Sequence, residues 1–104
     1  MKETIVEQAM TIILYAGNAK AMVMEAMNEV LETNDYKAAR KKIAEAGKEL
    51  GKAHKIQTDL LFDEMQGESD GNVGILMVHA QDHFMNAITI RDLANIMLAM
   101  NERK

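Results

Sequence analysis

The stretch Ile5-Val6-Glu7-Gln8-Ala9-Met10-Thr11-Ile12-Ile13-Leu14-Tyr15-Ala16-Gly17-Asn18-Ala19-Lys20 decides the reading of the fold. Its apolar positions Ile5, Ala9, Ile12, Ile13, Ala16 and Ala19 recur three or four residues apart, the period of a helix with a buried face. The spacing continues through Val23, Ala26, Met27, Val30 and Leu31 and predicts a helix to about Glu32. Thr4 and Glu7 stand at capping-box spacing, where a hydroxyl and a carboxylate satisfy amides left unpaired by the first turn. Gly17 lies mid-helix and costs about 1 kcal/mol relative to Ala, so a kink or a close packing contact is expected there.

Outward from this stretch the pattern repeats twice. Thr33-Asn34-Asp35 supplies turn residues and a cap. Ala38, Ala39, Ile43, Ala46, Leu50, Ala53, Gln57, Leu60, Leu61 and Met65 then mark a second helix over about 36–65. Gln66-Gly67-Glu68-Ser69-Asp70-Gly71-Asn72 is the strongest loop signal, and a third periodic run follows from about Val73 to Asn101. Short connections place neighbouring helices antiparallel, so the prediction is an all-α, three-helix, up-down-up bundle forming a single domain over 1–104. In the third helix Ile75, Leu76, Val78, Ile88, Ile90, Leu93, Ile96, Met97 and Met100 cover more than one stripe. That surplus predicts an oligomer whose contact is built largely by this helix.

Composition narrows the function classes. The chain of 104 residues has no Pro, no Trp and no Cys, which favours helix, rules out disulfides and thiolate metal sites, and makes a cytoplasmic location the expectation. A formal charge of -4 argues against nucleic acid and anionic lipid as partners. No uncharged stretch reaches the roughly 18 residues that a spanning helix needs, so a soluble, unexported protein without membrane insertion is expected. The basic cluster Lys37, Arg40, Lys41 and Lys42 reads as a solvated helix face answered by Glu45 and Glu49. Nine internal Met residues read as adaptable core filler, some of which could line a docking groove.

Chemistry concentrates in Val78-His79-Ala80-Gln81-Asp82-His83-Phe84-Met85, where His79, Asp82 and His83 share one helix face at i, i+3 and i+4. A neutral imidazole is a good nucleophile near neutral pH, so His79 or His83 could accept a phosphoryl group while the other donates to its oxygens. The carboxylate of Asp82 would repel such a group, unless it is protonated, points away or binds a cation. Three copies meeting at an axis around one hard cation would resolve the conflict. On spacing alone two other readings stand beside this one: satisfied interface histidines with Asp82 as their pairing partner, and a His-x-x-x-His metal site. A ferritin-like site is excluded, because the residues three before His54, His79 and His83 are Gly51, Leu76 and Ala80 rather than Glu. His54 reads as a surface or hydrogen-bonded core histidine with at most a supporting role. The two glycines between Gly67 and Asn72 lack the Lys-Ser/Thr of a phosphate loop.

Along nearly its whole length the sequence resembles the lactose/cellobiose-type enzyme IIA components of the sugar phosphotransferase system. The resemblance rests on Ala16-Gly17-Asn18-Ala19-Lys20, Ala53-His54 with Gln57-Thr58, Gly67-Glu68, and above all His79-Ala80-Gln81-Asp82-His83. It implies that His79 accepts a phosphoryl group from the carrier HPr and passes it to a cysteine of the IIB subunit, for uptake of a β-glycoside disaccharide. It also implies a homotrimer with Asp82 at the threefold axis, where one Mg2+ per trimer would bind, with His83 and Gln81 as neighbours of the acceptor. Sugar selection belongs, in that family, to the membrane IIC subunit. Two alternatives come from other classes. One is a response-regulator-type histidine phosphotransfer bundle, whose acceptor is usually followed by x-x-Lys-Gly where this chain has Asp82 and His83. The other is a non-catalytic oligomeric metal-binding or scaffolding bundle.

Overall fold

The computed structural model describes residues 4–67 and 74–103. They form three helices, α1 (Ile5–Thr33), α2 (Tyr36–Met65) and α3 (Ile75–Glu102), with no strand among the described residues. The molecule measures 52 × 22 × 20 Å, the slender shape that helices of about 43 Å impose. Most of the expected loop, Glu68 to Asn72, and the expected start of the third helix at Val73 lie outside the described residues.

Local chemistry explains where the helices begin and turn. The Thr4 hydroxyl accepts a hydrogen bond from the Glu7 amide at 3.1 Å and starts α1. At the far end Asn34 adopts φ 57°, a left-handed conformation that Asn tolerates better than most residues, and its amide donates to the Val30 carbonyl. The next residue, Asp35, caps α2 by accepting from the Ala38 amide at 3.0 Å. Two residues therefore suffice to reverse the chain.

Cross-helix pairs fix the antiparallel order. Near the start of α2, Lys42 reaches Glu25 and Glu29 near the end of α1, and Arg40 pairs with Glu102 at the end of α3. Arg40 and Lys42 of the basic cluster are thus answered across the bundle, and among the described residues none of the four pairs with Glu45 or Glu49; Glu49 instead lies 3.4 Å from Lys52. Helical spacing shows which charges share a face, but only packing brings a neighbouring helix's carboxylates within reach.

The core is built largely from alanine at seven-residue spacing: Ala39, Ala46 and Ala53 on α2, and Ala80, Ala87 and Ala94 on α3. These meet Ala9, Ile12, Ala16, Ala19, Val23 and Ala26 of α1, with Phe84, Ile43 and Leu98 as the large side chains between them. Small residues let helix axes approach closely, and a strict repeat of seven keeps the contact line together along the bundle. α1 touches α2 and α3 more extensively than these touch each other. The expected contact at Gly17 is not found among the described residues: α1 runs unbroken, and a Cβ at Gly17 would meet nothing within 4 Å.

The larger apolar residues lie mostly outside this core. Ile75, Val78, Met85, Leu93, Ile96, Met97 and Met100 of α3 are exposed, Ile75 at 88%. On the described residues, no helix is long and apolar enough to cross a membrane.

Candidate functional site

His79 projects from the second turn of α3, whose start is set by Gly74 in an extended conformation. The imidazole is exposed, and the ring of His83, one turn on, stands edge-on to it with centroids 4.8 Å apart. This is the close pairing expected for residues four apart on a helix. His83 is half-buried, so the pair has one anchored ring and one presented to solvent. Chemically, the arrangement offers an accessible nitrogen nucleophile with a second nitrogen-bearing ring one turn away.

Asp82 is exposed and stands between Val78 and Met85 on the outward face of α3. Among the described residues of one chain no three His, Cys, Asp or Glu side chains gather where a metal could sit. A single copy therefore brings one carboxylate, and a hard cation would need others from elsewhere.

Gln81 takes the opposite flank. Two residues at about 100° each put it about 200° around the helix from His79. There its Oε1 accepts a hydrogen bond from Gln57 Nε2 of α2 at 2.6 Å, while its own Nε2 lies 3.7 Å from the Met77 sulfur. The motif's polar residues are thus distributed over three sectors of α3: the histidine pair, the outward carboxylate, and an amide tied to α2. Gln57 was legible as a periodic position of the second helix and as part of the family resemblance, but not as the partner of Gln81, because which residue faces it across the bundle depends on the register of two helices.

His54 is exposed on α2 with its ring 6.1 Å from that of Phe84. It borders a recess of about 280 Å³ between α2 and α3, floored by Leu50, Phe84 and Ile88 and opened by Gly47 and Gly51. Arg91 closes the recess, its guanidinium 3.8 Å from where a Cβ on Gly47 would lie.

Residues 7–102 match the family model described as "PTS system, Lactose/Cellobiose specific IIA subunit". The chain belongs to this family. It is 41% identical over 103 residues to the lichenan-specific phosphotransferase enzyme IIA component of Bacillus subtilis, covering 99% of this chain and 92% of the relative. It is 42% identical over 94 residues to the cellobiose-specific EIIA component of Lactococcus lactis, covering 90% and 79%. Among solved structures, the cellobiose-specific enzyme IIA from Bacillus anthracis superposes with a TM-score of 0.85 at 32% identity, covering 98% of this chain and 93% of that one. The IIA family assignment makes this a phosphotransferase-system protein with a role in phosphoryl transfer, and the three-helix fold agrees with that of the solved IIA component.

Proposed function

We propose that this IIA subunit carries a phosphoryl group on His79, taking it from phospho-HPr and giving it to the cysteine of its IIB subunit, in the cytoplasmic uptake of a β-glycoside disaccharide. The observation that supports this most is the exposed His79 ring set 4.8 Å from His83 on α3 of a IIA-family chain. In the first transfer the N–P bond on the donor histidine breaks as a lone pair of His79 forms a new one. The two imidazoles exchange states, so no external proton is needed. In the second, the IIB cysteine sulfur attacks the phosphorus and the P–N bond breaks, while the proton given up by the cysteine thiol ends on the freed ring, so that His79 leaves as neutral imidazole. His83 donates to the phosphoryl oxygens, whose charge of about -1.5 to -2 needs donors around it.

The outward face of α3 supports assembly into a homotrimer. Ile75, Val78, Asp82, Met85 and Thr89 are spaced three, four, three and four apart, the seam of a coiled coil. A four-residue step then leads to Leu93, Ile96 and Met100, the insertion that locally unwinds such a coil. β-branched residues at both Ile75 and Val78 favour more than two strands. In a closed ring of three, the Asp82 carboxylates converge on the axis, and three oxygen donors of this hardness fit Mg2+, held by Asp82 of each copy. The cation would offset the repulsion among these carboxylates and the nearby phosphoryl groups.

Intact-mass analysis after incubation with HPr, enzyme I and phosphoenolpyruvate tests the carrier role. Wild type and His83→Ala should gain an acid-labile phosphoryl group and His79→Ala should not. A wild-type chain that stays unmodified would sink the reading and favour a scaffolding bundle.

A further inference from the structure

The recess between α2 and α3 has a chemistry that phosphoryl transfer does not use. At its edge Arg91 donates from Nε to the Asp92 carboxylate at 3.0 Å, which holds one side of the guanidinium on α3. Its Nη1 reaches across to α2, 3.8 Å from where a Cβ on Gly47 would stand. Among the described residues neither terminal nitrogen has a hydrogen-bond partner. That leaves a planar pair of charged donors free, the arrangement that grips an oxyanion through two bonds. The surrounding field favours an anion as well: although the chain as a whole is acidic, α2 carries seven Lys and Arg against two Glu between Tyr36 and Gln57.

The space beside Arg91 sets the size and character of the rest of the ligand. The recess of about 280 Å³ over Leu50, Phe84 and Ile88 adjoins a second of about 380 Å³, and Gly47 and Arg91 line both. Together they fall within the range of small-molecule sites, roughly 300–1,000 Å³. The first offers an apolar floor that suits the C–H face of a sugar ring. In the second, Asp92 and Asn95 provide acceptors and an amide donor for hydroxyl groups. The Asp92 carboxylate also repels any further negative charge, so the ligand has one anionic end and a neutral, hydroxylated body. The geometry points to a binding site for a sugar phosphate, its phosphate on the free edge of Arg91 and its sugar over Leu50, Phe84 and Ile88. Arg91 stands two residues from Thr89, about 200° around α3, so contact through the proposed seam does not itself close the recess. The inference rests on the transport reading for the source of its ligand: a carrier that serves sugar phosphorylation works where such products collect, and this recess lets the subunit register them.

Titration calorimetry on the full chain tests it, with glucose 6-phosphate as the probe. Wild type should bind the probe saturably, and glucose and inorganic phosphate, each offering half of the chemistry, should bind about tenfold or more weakly. Arg91→Gln should weaken binding of glucose 6-phosphate about tenfold or more, the loss expected for a charge-assisted pair. Gly51→Leu fills the recess while leaving every charge in place, and Leu favours helix over Gly, so this variant should fold and also lose the probe. The inference is overturned by a wild type that does not bind, by inorganic phosphate binding as tightly as the ester, or by affinity unchanged in either variant. Binding lost in His79→Ala would put the ester at the acceptor and overturn it too. The carrier role fails on a separate reading, the absence of a phosphoryl adduct on wild type, so the two failures are distinct.

Discussion

The two faces of α3 differ in a way opposite to a small protein's usual economy. The buried positions of its inner face are Ala80, Ala87 and Ala94 with Phe84 and Leu98, flanked by the half-buried Leu76, Met77, Ile88 and Ile90, while its outer face carries Ile75, Val78, Met85, Leu93, Ile96 and Met100. Burial of apolar surface is worth about 25 cal/mol per Å², so the inner face stabilises mainly through close approach and the outer face holds most of the helix's unspent apolar area. An exposed apolar stripe of this length marks a protein contact. The difference teaches that the inner face sets the shape of one copy, and that the outer face, interrupted by Asp82, is the surface the proposed assembly would use.

The largest effect should come from breaking the outer face. Ile96→Asp puts a carboxylate into the proposed seam at one level of all three copies, and each uncompensated buried charge costs several kcal/mol. Sedimentation should show monomers that keep their helical circular dichroism, since Ile96 is 54% exposed in one copy and lies outside its buried core. A variant that remains trimeric would show that the contact between copies lies elsewhere. Wild type sedimented with and without EDTA tests the proposed cation at Asp82: an assembly that loosens in EDTA supports it, and one that is unchanged counts against it.

A smaller but local effect should follow from the inner face. Phe84 is fully buried, the largest side chain among alanines that cannot move in to fill its space. Phe84→Ala should cost about 3–5 kcal/mol in urea unfolding at matched protein concentration, with assembly retained in the folded fraction. A loss below about 1 kcal/mol would mean that the helices close over the gap, and that the alanine faces slide more freely than their regular spacing indicates.

These two faces were legible to different degrees. Apolar periodicity from Ile5 to Leu31 and from Ala38 to Met65 placed the first two helices within one or two residues of Ile5–Thr33 and Tyr36–Met65, because long periodic runs bounded by Thr4 and by Asn34-Asp35 leave little choice. It did not separate inner from outer residues in α3, where apolar side chains surround the helix and only packing shows that Ala80 and Ala87 point in while Val78 and Met85 point out. The His79–His83 pairing followed from spacing alone, since i and i+4 are neighbours on any helix. The Gln57–Gln81 bond did not, nor did the pairing of Lys42 with α1, because both depend on the register between helices.

That last pairing gives the smallest effect and a control far from both faces of α3. Lys42 Nζ lies 2.5 Å from Glu25 and 3.3 Å from Glu29. Its hydrogen bond and charge hold the Glu25 carboxyl below its ordinary 4.5, and the Glu25 hydrogen bond in turn raises Lys42 above its ordinary 10.5. A carboxyl depressed on folding contributes stability that is present above its unfolded pKa and is lost as pH falls through the lower folded value. An ammonium raised on folding contributes below its unfolded pKa and loses that contribution as pH rises through the raised value. Lys42→Met should therefore be slightly less stable than wild type across the neutral range, and the two should converge as pH falls below 4.5. Because the groups are exposed, added salt should shrink the difference as well. Thermal melts of both chains from about pH 3 to about pH 8 read this directly. A gap that persists in acid would mean that the Lys42 stem contributes by packing against α1, and that its charge contributes nothing measurable.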